Sequence, residues 1–289
     1  MAHDHAHSHS DARWRVAVAA VLTFAFMGVE VVGGILSGSL ALLADAAHML
    51  TDAGSLTLAW IGYYLAERPA DERRSYGFAR FKILAAFVNG LALIALAVWI
   101  VFEAGMRLLE PQPVIGSLML WVAAGGLLVN IAAFAVLHGG DQHDLNLSGA
   151  LWHVAGDLLG SVAAIAAALI IISTGWTPID PILSALVAGL ITWAGLRIVR
   201  KSGHILLQGA PEALSSAAII ADLEALIPDA ARVSHVHAWQ LTEAKPMVTL
   251  EVTCATGACP ETLRRDIKAR LKKAFDVSHA TVEVVSEPI

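Results

Sequence analysis

The chain has 289 residues, of which 57% are hydrophobic and only 15% charged, with a formal net charge of -6. Soluble domains carry about 25% charged residues, so a wholly water-soluble chain is excluded, and so is disorder, which needs the opposite composition. The acidic balance without a basic stripe excludes a nucleic-acid binder, and two cysteines, Cys254 and Cys259, exclude a disulfide scaffold or a four-cysteine zinc knuckle.

The chain opens on alternating histidines, His3, His5, His7 and His9. Such a tract collects metal in some proteins and is a solvated tail in others. Six apolar runs then follow, at about 14–36, 40–66, 83–107, 114–138, 147–173 and 178–200. Each reaches the roughly 20 residues that a bilayer crossing needs. The first is too long for a signal peptide and lacks a basic start. Arg13 and Arg15, then Arg68, Arg73, Arg74, Arg80 and Lys82, then Arg197, Arg200 and Lys201 fall on one side, against Arg107 alone on the other. The positive-inside rule therefore predicts that both termini face the cytoplasm.

The composition changes after Lys201. Residues 212–227 show helical spacing, 233–241 and 247–254 alternate like strands, Pro260 opens a second helix, and 280–286 form a last strand. The order αββαβ predicts an open sheet with helices on one face. The domains expected are thus a His-rich tail at 1–13, a six-helix transport domain at 14–202 and a cytoplasmic α+β domain at 203–289. A cytoplasmic location predicts reduced thiols at Cys254 and Cys259.

Two spans carry the chemistry. The second reads Asp45-Ala-Ala-His48-Met-Leu-Thr-Asp52, and the fifth reads His153-Val-Ala-Gly-Asp157. Residues four apart share a helix face, so each span presents one imidazole and one carboxylate in the same direction. Together His48, Asp52, His153 and Asp157 supply two nitrogens and two oxygens, a tetrahedral set suited to Zn²⁺. At 1.5 Å rise per residue, His48 and Asp52 lie ~12 and ~18 Å from the outer end of their span. His153 and Asp157 lie ~9 and ~15 Å from the inner end of theirs. Both pairs fall near mid-membrane, where ionisable residues are costly and transporter sites tend to lie. Asp45 shares the face of His48 and reads either as an orienting or proton-passing group or as a packing one. Glu30, Glu103, Asn89 and Asn130 read as interhelical hydrogen-bonding groups.

The sequence resembles the cation diffusion facilitator family, in particular its bacterial zinc-exporting branch. The resemblance spans nearly the whole chain. It rests on the histidine-rich start, Gly-Ser-Leu-Ala-Leu-Leu-Ala-Asp-Ala-Ala-His-Met-Leu-Thr-Asp at 38–52 and Leu-Trp-His-Val-Ala-Gly-Asp-Leu-Leu-Gly-Ser at 151–161. It also rests on Ala-Ala-Phe-Val-Asn-Gly at 85–90, Gly-Trp-Thr-Pro-Ile-Asp-Pro-Ile-Leu-Ser at 175–184 and Val-Ser-His-Val-His-Ala-Trp at 233–239. The resemblance implies a transport site at His48, Asp52, His153 and Asp157, Zn²⁺ as the exported ion with Cd²⁺ as a second substrate, and exchange for protons. It further implies a homodimer in the inner membrane and a C-terminal domain of metallochaperone-like, ferredoxin-like fold. No cofactor is implied beyond zinc itself, as cargo and as a regulatory ligand.

The chain departs from the family pattern at two places. The loop between spans two and three holds Asp71, but Arg74 and Phe78 stand where the resemblance calls for histidines. A guanidinium cannot ligate a metal, so no metal is expected there. The regulatory metal site implied for the C-terminal domain is matched in part. His237 and Glu287 fit, Glu251 replaces a histidine, and Val285 occupies another histidine position. Without the resemblance, His235 and His237 would share one strand face with Val233, Trp239 and Leu241, and His279 would be an alternative ligand.

Two other function classes fit the composition less well. A membrane metal hydrolase needs an open coordination position and a general base, and no His-Glu-x-x-His occurs in the chain. A membrane-bound metal sensor would bind metal and a partner without moving the metal.

Overall fold

A computed structural model describes residues 4–66, 70–138, 145–211, 214–255 and 259–285. Six long helices come first: α1 (Asp4–Ser37), α2 (Leu40–Ala66), α3 (Phe81–Leu109), α4 (Gly116–His138), α5 (Leu145–Thr174) and α6 (Ile179–Leu206). They coincide with the six apolar runs. Five of them carry described apolar stretches of membrane-crossing length, and α2 carries a shorter one, Leu40–Thr51. Their outer faces expose Val98, Phe102, Trp121, Leu128, Leu159, Leu190 and Trp193. Large apolar side chains turned outward all along a bundle are what hydrocarbon surroundings favour. The chain is a multi-pass membrane protein.

The chain divides into two compact units, residues 1–57 with 89–197 and residues 58–88 with 198–289. In the first, α4 packs between α1 and α5. Small residues make this possible. Ala164, Ala167 and Ala168 of α5 are buried against Met119, Val122 and Ala123 of α4. Without a hydrophobic driving force between helices in lipid, close van der Waals contact of this kind supplies the association.

The second unit contains the C-terminal α+β domain: α7 (Ser216–Leu226), β1 (Ala230–Thr242), β2 (Lys245–Cys254), α8 (Pro260–Phe275) and β3 (His279–Val285). The order αββαβ is the expected one. Ser215 caps α7 by accepting from the Ala218 N–H at 3.2 Å, and Pro260 sits in the first turn of α8, where its missing N–H costs nothing. β1 and β2 form an antiparallel hairpin; β3 returns parallel to β2 across α8, giving the sheet order β1-β2-β3. Leu263, Ile267 and Leu271, one turn apart on α8, close a core with Ile219 and Leu223 of α7 and Val248, Leu250 and Val252 of β2. Arg270 of α8 grips Asp222 of α7 with two bonds of 2.8 and 2.6 Å.

One strand reading needs correction. Val233, His235, His237, Trp239 and Leu241 do not share a face, because β1 shifts register between Ser234 and His237. His235 takes a left-handed backbone conformation there, with φ 48. The bulge sends Val236 and Ala238 toward the core and leaves His235 and His237 exposed. A second shift between Gln240 and Thr242 accompanies the return of Leu241 to a buried position.

Candidate transport site in the helical bundle

His48 lies on α2, half-buried, and its carbonyl accepts a 2.7 Å bond from the Thr51 hydroxyl in the same helix. Asp157 lies on α5 and is 7% exposed. Asp52 and His153 lie on the same two helices, but their side chains fall outside the described residues. Among the described residues no three His, Cys, Asp or Glu side chains stand together as a metal would need. The described half of the set is therefore His48 and Asp157.

Around Asp157 the bundle interior is polar. Glu30 of α1 is 2% exposed. Gly126 of α4 leaves the room: a Cβ there would stand 3.1 Å from Glu30 Oε1 and 3.5 Å from Ser161 Oγ. Asn130 donates to that Ser161 hydroxyl at 3.3 Å, which is the interhelical role expected of Asn130. Glu30 Oε2 is buried with no hydrogen-bond partner among the described residues. Glu30 of α1 and Asp157 of α5 are thus carboxyls buried on apolar helices, where charge is costly.

Among the described residues Glu103 bonds within its own helix, where the sequence suggested a bond between helices. It pairs within α3, accepting from Arg107 Nε at 2.9 Å, and the same guanidinium donates to the Gly38 carbonyl between α1 and α2. An i,i+4 glutamate–arginine spacing was legible in the sequence; the contact to Gly38 was not.

In the loop before α3, Asp71 folds the turn. Its Oδ1 accepts from the Arg73 and Arg74 N–H groups at 2.9 and 2.7 Å. Its other oxygen accepts from the Arg74 side chain at 3.3 Å, and the Arg74 guanidinium lies 4.4 Å from the centre of the Phe78 ring.

Of the C-terminal residues, Glu251 meets His235 rather than His237, at 3.0 Å. His237 is opposite Thr249 in the strand register and lines a shallow groove of about 390 Å³ with Gln208, Ser216 and Trp239. His279 is exposed and packs edge-on against Tyr76, ring centres 6.5 Å apart. Glu287 lies outside the described residues.

Apolar helices of membrane-crossing length with Glu30 and Asp157 buried on them are the mark of a membrane protein that handles charge within the bilayer. The family model for the cation efflux transmembrane domain matches residues 16–207, and the chain belongs to that family. A protein named zinc transporter ZitB from Pectobacterium atrosepticum is 47% identical over 98% of this chain and 89% of its own length. The protein of the same name from Escherichia coli is 45% identical over 100% of this chain and 94% of its own. A Bacillus subtilis protein named cadmium, cobalt and zinc/H(+)-K(+) antiporter is 36% identical over 93% of this chain and 88% of its own.

Proposed function

We propose that the chain exports Zn²⁺ from the cytoplasm in exchange for protons, through a tetrahedral site of His48, Asp52, His153 and Asp157 at mid-membrane, with Cd²⁺ as a second substrate. The observation that carries this reading is the repeated His-x-x-x-Asp spacing on α2 and α5, with Asp157 of one pair buried in the bundle. The names of the relatives support zinc as the ion, and that of the Bacillus subtilis protein supports proton exchange. The protein works as a homodimer in the inner membrane, with both termini in the cytoplasm.

The mechanism follows from linkage. Imidazole and carboxylate must be deprotonated to hold a metal, so metal binding releases protons and protons displace metal. Open to the cytoplasm, the four ligands load zinc. Open to the more acidic outside, His48, His153 and the two aspartates take up protons and zinc leaves. Rocking of the helices that carry the ligands exchanges the two states.

Zinc uptake into proteoliposomes, measured for the native chain and for Asp157→Ala, tests the reading. The native chain moves zinc; the variant inserts and dimerises but neither moves zinc nor holds it at the transport site. Near-native flux in the variant would remove Asp157 from the site.

A further inference from the structure

The N-terminus of α2 is capped from the far end of the bundle sequence. Asp180, in the first turn of α6, is 0% exposed, as is Ser39 just before α2. Asp180 Oδ1 accepts from the Ser39 hydroxyl at 2.6 Å and from the Ala41 N–H at 3.3 Å, and Oδ2 accepts from the Leu40 N–H at 2.7 Å. The first N–H groups of a helix lack partners within it, and here a carboxylate 140 residues away satisfies them. That carboxylate sits at the positive ends of two helix dipoles, those of α2 and of its own α6.

The turn before α2 is fastened on two further sides. The Ile115 N–H, at the entry to α4, donates to the Ser37 carbonyl at 2.8 Å. Arg107, at the end of α3, donates to the Gly38 carbonyl. Gly38 has φ 73, and a Cβ there would lie 2.7 Å from the Pro113 carbonyl oxygen, so no other residue fits. Farther along α2, Met49 is buried while its neighbour Leu50 is 59% exposed, and Gly54 has no atom within 4 Å of where its Cβ would be.

We propose that Asp180 is a positioning residue for transport, which holds the start of α2 as the fixed point about which the His48–Asp52 pair swings. This rests on the transport reading above. At 1.5 Å per residue, His48 is ~12 Å and Asp52 ~18 Å beyond Leu40. A tilt of α2 about Leu40 moves both ligands in proportion to these distances, Asp52 about one and a half times as far as His48. A helix with both ends loose would shift its ligands without defining where they go. Asp180 touches neither metal nor ligand in this role; it acts through α2.

The test is zinc uptake by full-length protein in proteoliposomes, as initial rate against zinc concentration, together with zinc bound per chain. Asp180→Asn keeps the side chain's shape but turns an amide NH₂ where two acceptor oxygens are needed. The expected result is unchanged zinc content, KM within about twofold and a maximal rate lowered about tenfold, since the interaction lost acts on movement rather than on binding. Ser39→Ala removes one of the three bonds and lowers the rate less. Combined with Asp180→Asn it adds little, because the two act as one unit. A merely stabilising cap predicts native rates in whatever protein remains folded. Native maximal rate in folded Asp180→Asn overturns the proposal. Should that variant not fold, a native rate in Ser39→Ala overturns it and a reduced rate at unchanged KM supports it. If the native chain moves no zinc, the transport reading itself has failed and this role falls with it.

Discussion

Replacing Gly33 with alanine tests how closely α1 and α4 are packed. A Cβ at Gly33 would stand 2.5 and 3.0 Å from the two γ-methyl carbons of Val122 and 3.3 Å from its Cβ. Valine in a helix has one strongly preferred χ1, so Val122 cannot turn both methyls aside, and the helices must separate. Overpacking of this kind costs about 1–3 kcal/mol, and the better helix propensity of alanine returns about 1 kcal/mol. The net loss is about 0–2 kcal/mol, and a contact as close as 2.5 Å places it toward the upper end. Gly28, on the same helix, has nothing within 4 Å of its Cβ position. There alanine keeps its propensity advantage, so Gly28→Ala is neutral or more stable by up to about 1 kcal/mol. Equilibrium unfolding in mixed detergent, followed by tryptophan fluorescence, reads the difference. Adding Val122→Ala to Gly33→Ala restores part of the loss by removing the colliding methyls. Equal stability of the Gly28→Ala and Gly33→Ala proteins would refute the close α1–α4 contact.

His48→Asp exchanges a neutral nitrogen for a carboxylate and makes the ligand set more negative. Zinc transport persists, and cadmium or manganese transport rises relative to zinc in competing flux assays; an unchanged ratio would take selectivity away from His48. Asp71→Ala frees the Arg73 and Arg74 backbone but leaves zinc per chain unchanged by metal analysis, because Arg74 is stacked on Phe78 and neither can ligate. Asp222→Asn weakens the α7–α8 clamp. The Arg270 guanidinium holds the Asp222 carboxyl below its ordinary value of 3.8. The stabilisation it brings is therefore complete above that value and is lost as pH falls through the lower folded value. Melting of the C-terminal domain in the full chain, followed at Trp239, shifts to lower temperature in the variant at pH 7. The native and variant proteins converge as the pH falls below that ordinary value, where the carboxylate that Arg270 grips is protonated.

Apolar run length sufficed to place the six long helices, since a bilayer demands length and hydrophobicity and little else. The C-terminal domain was equally legible, because α8 repeats Leu263, Ile267 and Leu271 at one-turn spacing and Pro260 marks its start. Alternation failed in β1. A bulge at His235 is a tertiary choice that period-two counting cannot foresee, and it moved both histidines to the surface. Within the bundle, i,i+4 spacing singled out His48 and Asp157 as candidate ligands. Glu30 stood out only as a charge in an apolar run; its neighbour Gly126 shows the space that admits it. Asp180 gave no local signal, because its partners Ser39, Leu40 and Ala41 lie about half the chain away. Spacing rules report on one helix at a time, and that cap joins two.

The most direct test of the central claim is zinc movement in proteoliposomes under an imposed pH gradient. The account predicts that zinc moves toward the acidic compartment, that reversing the gradient reverses the movement, and that a proton ionophore abolishes the gradient-driven part. Zinc flux of the same size and direction with the gradient imposed, reversed or collapsed would contradict it.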